Sequence, residues 1–285
     1  PYPELMDTRA AADRAAAVMR ELAGREPSVG VICGTGFAPC TDVLDDNVTI
    51  SFEELGLRPS AIPDHVNEVD IGELEGITVA AIKAKVLPCD GATWAESGLP
   101  ARALARAGCR TLLYSANSGS MREDVPPGTF LAVTDHINFS GYNPLSTERH
   151  GHGWDTPYLS MAELYEARLT KQVVRAVEAA GLPFPTGVAG YWTGPSFETP
   201  AEIRLAQLAG CSVSSNSFLP EVMAGYHAGL QVVAFTFVST MSAGIGPPID
   251  LGPVLDLTRE AHGDYRTILR AAIPVLAADG VVPDG

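Results

Sequence analysis

Short apolar runs alternate with longer segments of helical pattern along almost the whole chain, and this alternation limits the possible fold more than any other feature. Runs typical of buried strands occupy residues 28–33, 111–115, 129–136, 186–193 and 231–240. Amphipathic or Ala-rich helical patterns occupy residues 8–23, 93–107, 161–180, 201–208 and 253–278. Strands that alternate with helices are typical of a layered α/β architecture.

One hairpin interrupts the alternation. Residues 69–84 alternate between apolar and polar side chains, and Glu75-Gly76 divides them as a turn would. Hairpin strands are antiparallel, whereas strands joined through a helix run parallel. We therefore expect an α/β fold with a mixed central β-sheet flanked by helices. No internal repeat or break in composition divides the chain, so we expect a single domain over residues 1–285.

Composition and charge exclude several classes of protein. Hydrophobic residues make up 46% of the 285 residues and charged residues 19%, which is typical of a packed globular core. The net charge is −15 and no Lys/Arg cluster is present, so we expect no nucleic-acid partner. No apolar run reaches the ~18 residues of a membrane span. The 5 cysteines form no Cys-x-x-Cys pair, and we expect free thiols in a reducing cytoplasm.

The segment GPSFETP at residues 194–200 lies between a predicted strand and a predicted helix. Ligands of open α/β sheets bind beyond the carboxyl ends of the strands. The Glu198 carboxylate would accept hydrogen bonds from the N–H groups of a heterocycle, and the Phe197 ring would pack against its face. Alternatively, Glu198 would cap the following helix near its positive end. These residues alone leave both interpretations open.

Small polar residues also collect where other predicted strands end. Gly34-Thr35-Gly36 would let main-chain amides approach an anion, although an ordinary tight turn has the same pattern. Packing does not require polar residues at strand ends, whereas a ligand pocket does. The other polar residues at strand ends or on nearby loops are the loop 116–122, Asn216-Ser217, Thr240, His65 and Lys85.

The irregular segment at residues 138–160 contains His150 and His152. A loop of this length is usually functional or lies at a subunit contact. No carboxylate or cysteine pattern accompanies the two histidines, so we predict no metal site.

Four motifs occur in a fixed order. They are VTDHIN at 133–138, GYNPL at 141–145, GPSFETPAE at 194–202 and PEV at 220–222. Together they resemble the trimeric purine nucleoside phosphorylase and methylthioadenosine phosphorylase family, from about Val29 to the final helix. The resemblance implies a pentosyltransferase that cleaves or forms the N-glycosidic bond of a purine-type nucleoside. It also implies phosphate as co-substrate, no other cofactor, and a cytoplasmic homotrimer.

The resemblance also implies a role for each matching residue. The phosphate site would consist of Thr35, His65, Lys85, the Asn117 main chain and Ser217. The base and ribose site would consist of Ser118, Phe197, Glu198, Asn216, Thr240 and, from a neighbouring subunit, His150. Glu198, Thr240 and His65 would be the catalytic residues of an electrostatic and proximity mechanism, in which charge moves onto the base while phosphate waits on the opposite face.

Several positions depart from the family pattern. Lys85 stands in place of an arginine, so a point charge replaces a bidentate clamp. Thr240 stands in place of an asparagine or aspartate that contacts the base. Leu87, Cys89 and Leu251 would make the sugar end more apolar, which favours a 5′-deoxy or 5′-modified sugar. The alternative is a divergent member that has lost phosphorolysis and binds a purine-like ligand or performs different chemistry. The further departures are Ala116, Ala189 and Asn216.

Overall fold

The computed structural model describes residues 6–62, 65–147, 158–248 and 250–279. The strands are β1 (Val29–Ile32), β2 (Asp45–Ser51), β3 (Glu68–Leu74), β4 (Ile77–Ile82), β5 (Thr111–Ser120), β6 (Phe130–Asn138), β7 (Thr186–Tyr191), β8 (Val213–Ser215) and β9 (Gln231–Met241). The helices are α1 (Thr8–Ala23), α2 (Phe52–Leu55), α3 (Trp94–Ala107), α4 (Ala167–Ala179), α5 (Pro200–Leu208), α6 (Leu219–His227), α7 (Leu251–Glu260) and α8 (His262–Asp279). Short 3₁₀ turns occupy Ala38–Val43, Pro88–Asp90 and Pro144–Thr147.

In the described part of the chain, 9 strands form one mixed sheet in the order β2-β3-β4-β1-β5-β8-β7-β6-β9. An additional parallel pairing joins β5 to β9, so the strands from β5 to β9 close on themselves. The pairs β2–β3, β3–β4, β5–β8 and β6–β9 are antiparallel, and the remaining pairs are parallel. The predicted mixed α/β sheet is therefore confirmed.

Alternate side chains of the central strands enter two different hydrophobic cores. In β1, Ile32 belongs to the core that α1, α3 and α6 cover, whereas Val29 and Val31 belong to the core that α4 and α8 cover. Successive side chains of a strand point to opposite faces, so a strand that is apolar throughout must be covered on both sides. No helix among the described residues has both the length and the apolar character that a membrane span requires.

Local turn and capping residues explain several predicted boundaries. Glu75 and Gly76 both adopt positive φ, 53° and 78°, in the two-residue turn between β3 and β4. Thr93 caps α3 through a reciprocal capping box with Glu96, and Gly108 ends the helix. The predicted hairpin and the predicted helix at residues 93–107 are thus confirmed.

Three predicted boundaries are wrong. Residues 116–120 continue β5 instead of starting a loop, because Ala116, Asn117 and Ser118 pair with β9. Helix α4 begins at residue 167 rather than 161, since the Glu166 carboxylate accepts the first main-chain amides. The predicted helix at 253–278 is two helices that meet at Ala261, beside the contact of His262 with the Gly36 carbonyl oxygen.

Two strands, β2 and the three-residue β8, have no counterpart among the strands predicted from sequence. β2 lies at the edge of the sheet, is mostly exposed, and begins with Asp45, Asp46 and Asn47. Polar edge strands of this kind resist pairing with other chains, and they lack the apolar pattern by which a strand is found from sequence.

Candidate functional site

A cavity of about 250 Å³ lies beyond the carboxyl ends of β1, β5, β8 and β9. Parallel and mixed α/β sheets hold ligands at this edge. The site residues predicted from sequence that line this cavity are Thr35, Asn117, Ser118, Phe197, Glu198, Asn216, Ser217 and Thr240. Apolar side chains of Ile62, Leu87, Val254 and Leu255, together with Cys89, form an apolar part of the wall.

The strand ends that form the cavity approach each other closely. At Gly119 a Cβ atom would lie 2.9 Å from the Ser242 hydroxyl and 3.2 Å from the Ser214 hydroxyl. At Gly194, where φ is +71°, a Cβ atom would lie 2.8 Å from the Asn216 side-chain nitrogen. The absence of a side chain at Gly119 and Gly194 therefore allows the polar side chains of Ser214, Asn216 and Ser242 to lie close to these two backbone segments.

The Phe197-Glu198 loop forms one end of the cavity. Thr199 is the residue that caps α5, through a capping box with Glu202, so Glu198 is not the helix cap. Phe197 is 53% exposed, at the rim. Burial raises the pKa of the Glu198 carboxyl, and hydrogen bonds from its own amide and from the Ser214 side chain offset part of this effect.

Neutral donors and acceptors form the rest of the polar wall. The Asn117 side-chain amide donates to the Thr35 carbonyl oxygen at 3.2 Å, and the Ser215 hydroxyl donates to the Asn117 carbonyl oxygen at 2.8 Å. The hydroxyls of Ser214 and Ser242 lie 3.1 Å apart. Ser214, Ser215, Ser239 and Ser242 also line the cavity, and sequence reasoning missed them. The signal that could have found them is the concentration of serine in and around β8, at residues 212–217, and at the end of β9, at residues 239–242.

His65 and Lys85 are not on the wall of this cavity. His65 lies behind Thr35, with its Nε2 atom 3.0 Å from the Thr35 hydroxyl oxygen. Lys85 is 1% exposed. Its Nζ atom donates to the carbonyl oxygens of Ser115 and, at 3.2 Å, Ser217. The structure therefore does not bring the Lys85 ammonium to the predicted direct contact, because two carbonyl oxygens hold it beneath the floor.

A buried acid accompanies the buried lysine. Glu221 is 1% exposed, and its carboxylate lies close enough to the Lys85 ammonium and the Tyr114 hydroxyl for both to act on its pKa. Burial raises the pKa of Glu221 to about 8, and the positive charge of Lys85 opposes that rise. Burial likewise lowers the pKa of Lys85 to about 8, opposed by the negative charge of Glu221. The two groups thus influence each other under the cavity floor.

Some sequence predictions fall outside the described residues. His150 and His152 are among them, and so is the side chain of Leu251. The 5 cysteines are free thiols. Within the ranges that the structure covers, no group of three or more His, Cys, Asp or Glu side chains could hold a metal ion.

Comparison with known proteins identifies the family of this chain. The family model described as "Phosphorylase superfamily" matches residues 28–274. Purine nucleoside phosphorylase 1 of Bacillus subtilis (strain 168) is 27% identical over 263 residues, which cover 92% of this chain and 97% of that protein. Purine nucleoside phosphorylase 1 of Geobacillus stearothermophilus is 28% identical over 271 residues, covering 94% and 98%.

Solved structures show the same fold. Purine nucleoside phosphorylase of Schistosoma mansoni in complex with inosine superposes with a TM-score of 0.86 at 24% identity, covering 97% of this chain and 98% of that one. Its isoform 2, in complex with cytosine and ribose-1-phosphate, gives a TM-score of 0.85 at 20% identity with the same coverage. The family model spans most of the chain, and the sequence motifs point to the same family. The chain is thus a member of the phosphorylase superfamily, as a divergent relative of its purine nucleoside phosphorylases.

Proposed function

We propose that the protein is a pentosyltransferase that cleaves or forms the N-glycosidic bond of a purine-type nucleoside, with phosphate as co-substrate. The observation that supports this proposal is that residues suited to a heterocycle and residues suited to an anion line the same cavity. The carboxylate and aromatic ring of Glu198 and Phe197 suit a heterocycle, and the hydroxyl and amide donors near Thr35, Asn117 and Ser217 suit an anion. Phosphorolysis requires both groups side by side.

At the base end, Glu198 would accept hydrogen bonds from the purine N–H groups while Phe197 covers its face. Thr240 would donate a hydrogen bond to the base edge. When the glycosidic C–N bond breaks, its electron pair moves onto the base, and a donor at that edge stabilises charge that exists mainly in the transition state. A threonine hydroxyl can serve in this role, although it is a weaker partner than a carboxamide.

At the other end, phosphate would lie among the donors of Thr35, Asn117 and Ser217, on the face of the sugar opposite the base. One phosphate oxygen would attack the anomeric carbon as the base leaves, giving a pentose 1-phosphate. Ser118 and Asn216 would contact the ribose. His65 would contribute through Thr35, and Lys85 would contribute its charge from beneath the floor. Holding both reactants in one small cavity is itself a large part of such catalysis.

The sugar is proposed to carry a 5′-deoxy or otherwise modified 5′ group. Leu87, Cys89 and Ile62 line the cavity, and they offer an apolar surface. A 5′-hydroxyl buried against such a surface would lose its hydrogen bonds to water, whereas an apolar 5′ substituent would gain by burial.

A second candidate function rests on a specific observation. None of the described residues that line the cavity is a lysine or an arginine. A purine-like ligand would still bind at Glu198, and water or another acceptor would take the place of phosphate. Turnover that is independent of phosphate would favour this candidate.

We also propose a single domain over residues 1–285 that assembles as a cytoplasmic homotrimer. One continuous sheet supports the single domain, and the resemblance to trimeric phosphorylases supports the trimer. In that assembly His150 would come from a neighbouring subunit. Light scattering tests the assembly, and a monomer would argue against a borrowed His150.

A substrate panel tests the reaction. Inosine, guanosine, adenosine and their 5′-deoxy and 5′-methylthio analogues are each incubated with the enzyme, with and without phosphate, and base release is followed by chromatography. We expect release that requires phosphate, and a higher kcat/KM for the 5′-modified analogues. No base release from any nucleoside, with or without phosphate, would refute the proposed reaction.

A further inference from the structure

A continuous series of hydrogen bonds runs from the Ile62 main chain through Ser60 and His65 to the Thr35 hydroxyl on the cavity wall. The Ile62 amide lies 3.3 Å from the Ser60 hydroxyl oxygen, which in turn lies 2.8 Å from Nδ1 of His65. Nε2 of the same ring lies 3.0 Å from the Thr35 hydroxyl oxygen. Ser60 is 7% exposed and is not among the residues that line the cavity, so its hydroxyl does not contact a ligand there directly.

Main-chain amides determine the direction of each bond, because an N–H group can only donate. The Lys85 amide donates to Nδ1 of His65 at 3.4 Å, which makes Nδ1 the acceptor and leaves the hydrogen of the neutral ring on Nε2. The Ile62 amide donates to the Ser60 oxygen, so the Ser60 hydrogen is available to donate to Nδ1. The Nε2 hydrogen then points to the Thr35 oxygen.

The consequence is a fixed orientation for the Thr35 hydroxyl. Its oxygen accepts from His65, so its own hydrogen is directed away from the ring and is available to a ligand in the cavity. The Thr35 hydroxyl can therefore donate to an acceptor in the cavity, such as an oxygen of a phosphate. Hydrogen bonds in such a chain strengthen one another, since each donor is polarised by the bond that it accepts.

We propose that Ser60, acting through His65, is a positioning residue that fixes the Thr35 hydroxyl as a hydrogen-bond donor to an oxygen of the bound phosphate. This inference rests on the proposed function, because phosphate is the anion that the reaction requires. Ser60 itself touches neither the substrate nor the cavity. His65 in this account also acts on phosphate only through Thr35.

Asn67 holds Ser60 in place for this role. The Asn67 side chain accepts from the Ser60 amide at 2.8 Å and donates to the Ser60 carbonyl oxygen at 3.1 Å. Because both main-chain groups of Ser60 are bound in this way, replacing its hydroxyl should leave the loop in position. This separates the loss of the hydroxyl from a loss of the loop structure.

A double-mutant cycle tests the proposal. Ser60→Ala, Thr35→Val and the double variant are compared with the wild type by the phosphate KM, the nucleoside KM and kcat, and by calorimetric binding of inorganic phosphate without nucleoside. We expect the phosphate KM to rise on the order of tenfold or more in Thr35→Val and about 3- to 10-fold in Ser60→Ala, with little change in the nucleoside KM. In the Thr35→Val background, Ser60→Ala should add no further loss, because the hydroxyl that it orients is gone.

Two further variants complete the design. Ser97→Ala is the matched control, since the Ser97 hydroxyl is also buried and donates to the Thr93 carbonyl oxygen within α3, away from the cavity. It should leave the phosphate KM unchanged. Should Ser60→Ala not fold, His65→Phe interrupts the same chain while keeping a ring, and the same non-additivity with Thr35→Val is expected.

The outcomes distinguish this inference from the proposed function. A wild type that neither binds phosphate nor uses it would end the proposed function. A wild type that uses phosphate, combined with an unchanged phosphate KM in Ser60→Ala, would overturn only the positioning role. Equal losses from Ser60→Ala in the wild-type and Thr35→Val backgrounds would overturn it as well, because they would indicate a general structural effect.

Discussion

Replacing Glu198 by alanine should remove most of the base recognition on which the proposed reaction depends. The carboxylate lies on the cavity wall between a strand end and the start of α5, and it is not needed to cap that helix because Thr199 is the cap. A hydrogen bond to a charged group contributes about 1.5–3 kcal/mol, and a purine edge would make one or two of them. Since about 1.4 kcal/mol corresponds to tenfold, we expect kcat/KM to fall by about 100-fold or more.

The assay is phosphate-dependent base release from a 6-oxopurine nucleoside and from its 5′-deoxy analogue. Glu202→Ala is the matched control, because Glu202 is also a carboxylate of this segment but accepts from Thr199, at 2.7 and 2.9 Å, and is not among the residues that line the cavity. Its loss should weaken the capping box of α5 and leave kcat/KM nearly unchanged. Turnover in Glu198→Ala equal to that of the wild type would remove Glu198 from the base site.

If Glu198 binds the base, kcat/KM should depend on the protonation state of its carboxyl. Burial raises the pKa of this carboxyl above its ordinary value of 4.5. The carboxylate form is the one that accepts two N–H donors, so kcat/KM should fall on the acid side, starting above the pH at which an exposed glutamate becomes protonated. An acid limb that persists unchanged in Glu198→Gln would show that another group causes it.

Three more predictions concern the groups around the cavity. Lys85→Met removes a positive charge beneath the cavity, so the phosphate KM should rise on the order of tenfold. It also removes two hydrogen bonds to carbonyl oxygens, so the thermal midpoint should fall. An unchanged phosphate KM would contradict the role of Lys85. Burial raises the pKa of the Glu221 carboxyl from 4.5 to about 8. Between these two pH values the carboxyl keeps its proton in the native state and loses it in the unfolded state. The free energy of unfolding should therefore fall as pH rises from about 4.5 to 8. Glu221→Gln should therefore flatten the dependence of thermal stability on pH in that window, and an unchanged slope would refute the reasoning. Burial raises the pKa of the Cys89 thiol, so iodoacetamide should label it slowly. Because Cys89 lines the cavity, a bound nucleoside should slow the labelling further. Labelling at the same rate with and without saturating nucleoside would contradict this position of Cys89.

The general position of the site followed from the sequence because strand ends can be found from apolar patterns. Thr35 comes just after one apolar run and Thr240 lies at the end of another, and a sheet brings such ends to one edge. Asn216-Ser217 instead follow the serine-rich segment 212–215, which has no apolar pattern. Glu198 was ambiguous in sequence because a carboxylate before a helix fits either a cap or a ligand site. The capping box of Thr199 and Glu202 decides this, and its pattern was already present in the sequence.

Other features depend on tertiary contacts that no local pattern records. The direction of the Lys85 side chain is set by the carbonyl oxygens of Ser115 and Ser217, which lie 30 and 132 residues away in the chain. The break between α7 and α8 coincides with contacts of His262 and Tyr265 to the Gly36-Phe37 segment, including a stacked Phe37–Tyr265 pair at 4.4 Å. A uniform helical pattern contains no sign of such contacts.

A crystal structure of the protein with a purine base and phosphate bound would test the central claim most directly. We expect the N–H edge of the purine within hydrogen-bond distance of the Glu198 carboxylate, and phosphate oxygens within hydrogen-bond distance of the Thr35 and Ser217 hydroxyls, in the same cavity. Base and phosphate bound at separate surfaces, or a purine that binds without contact to Glu198, would contradict the account.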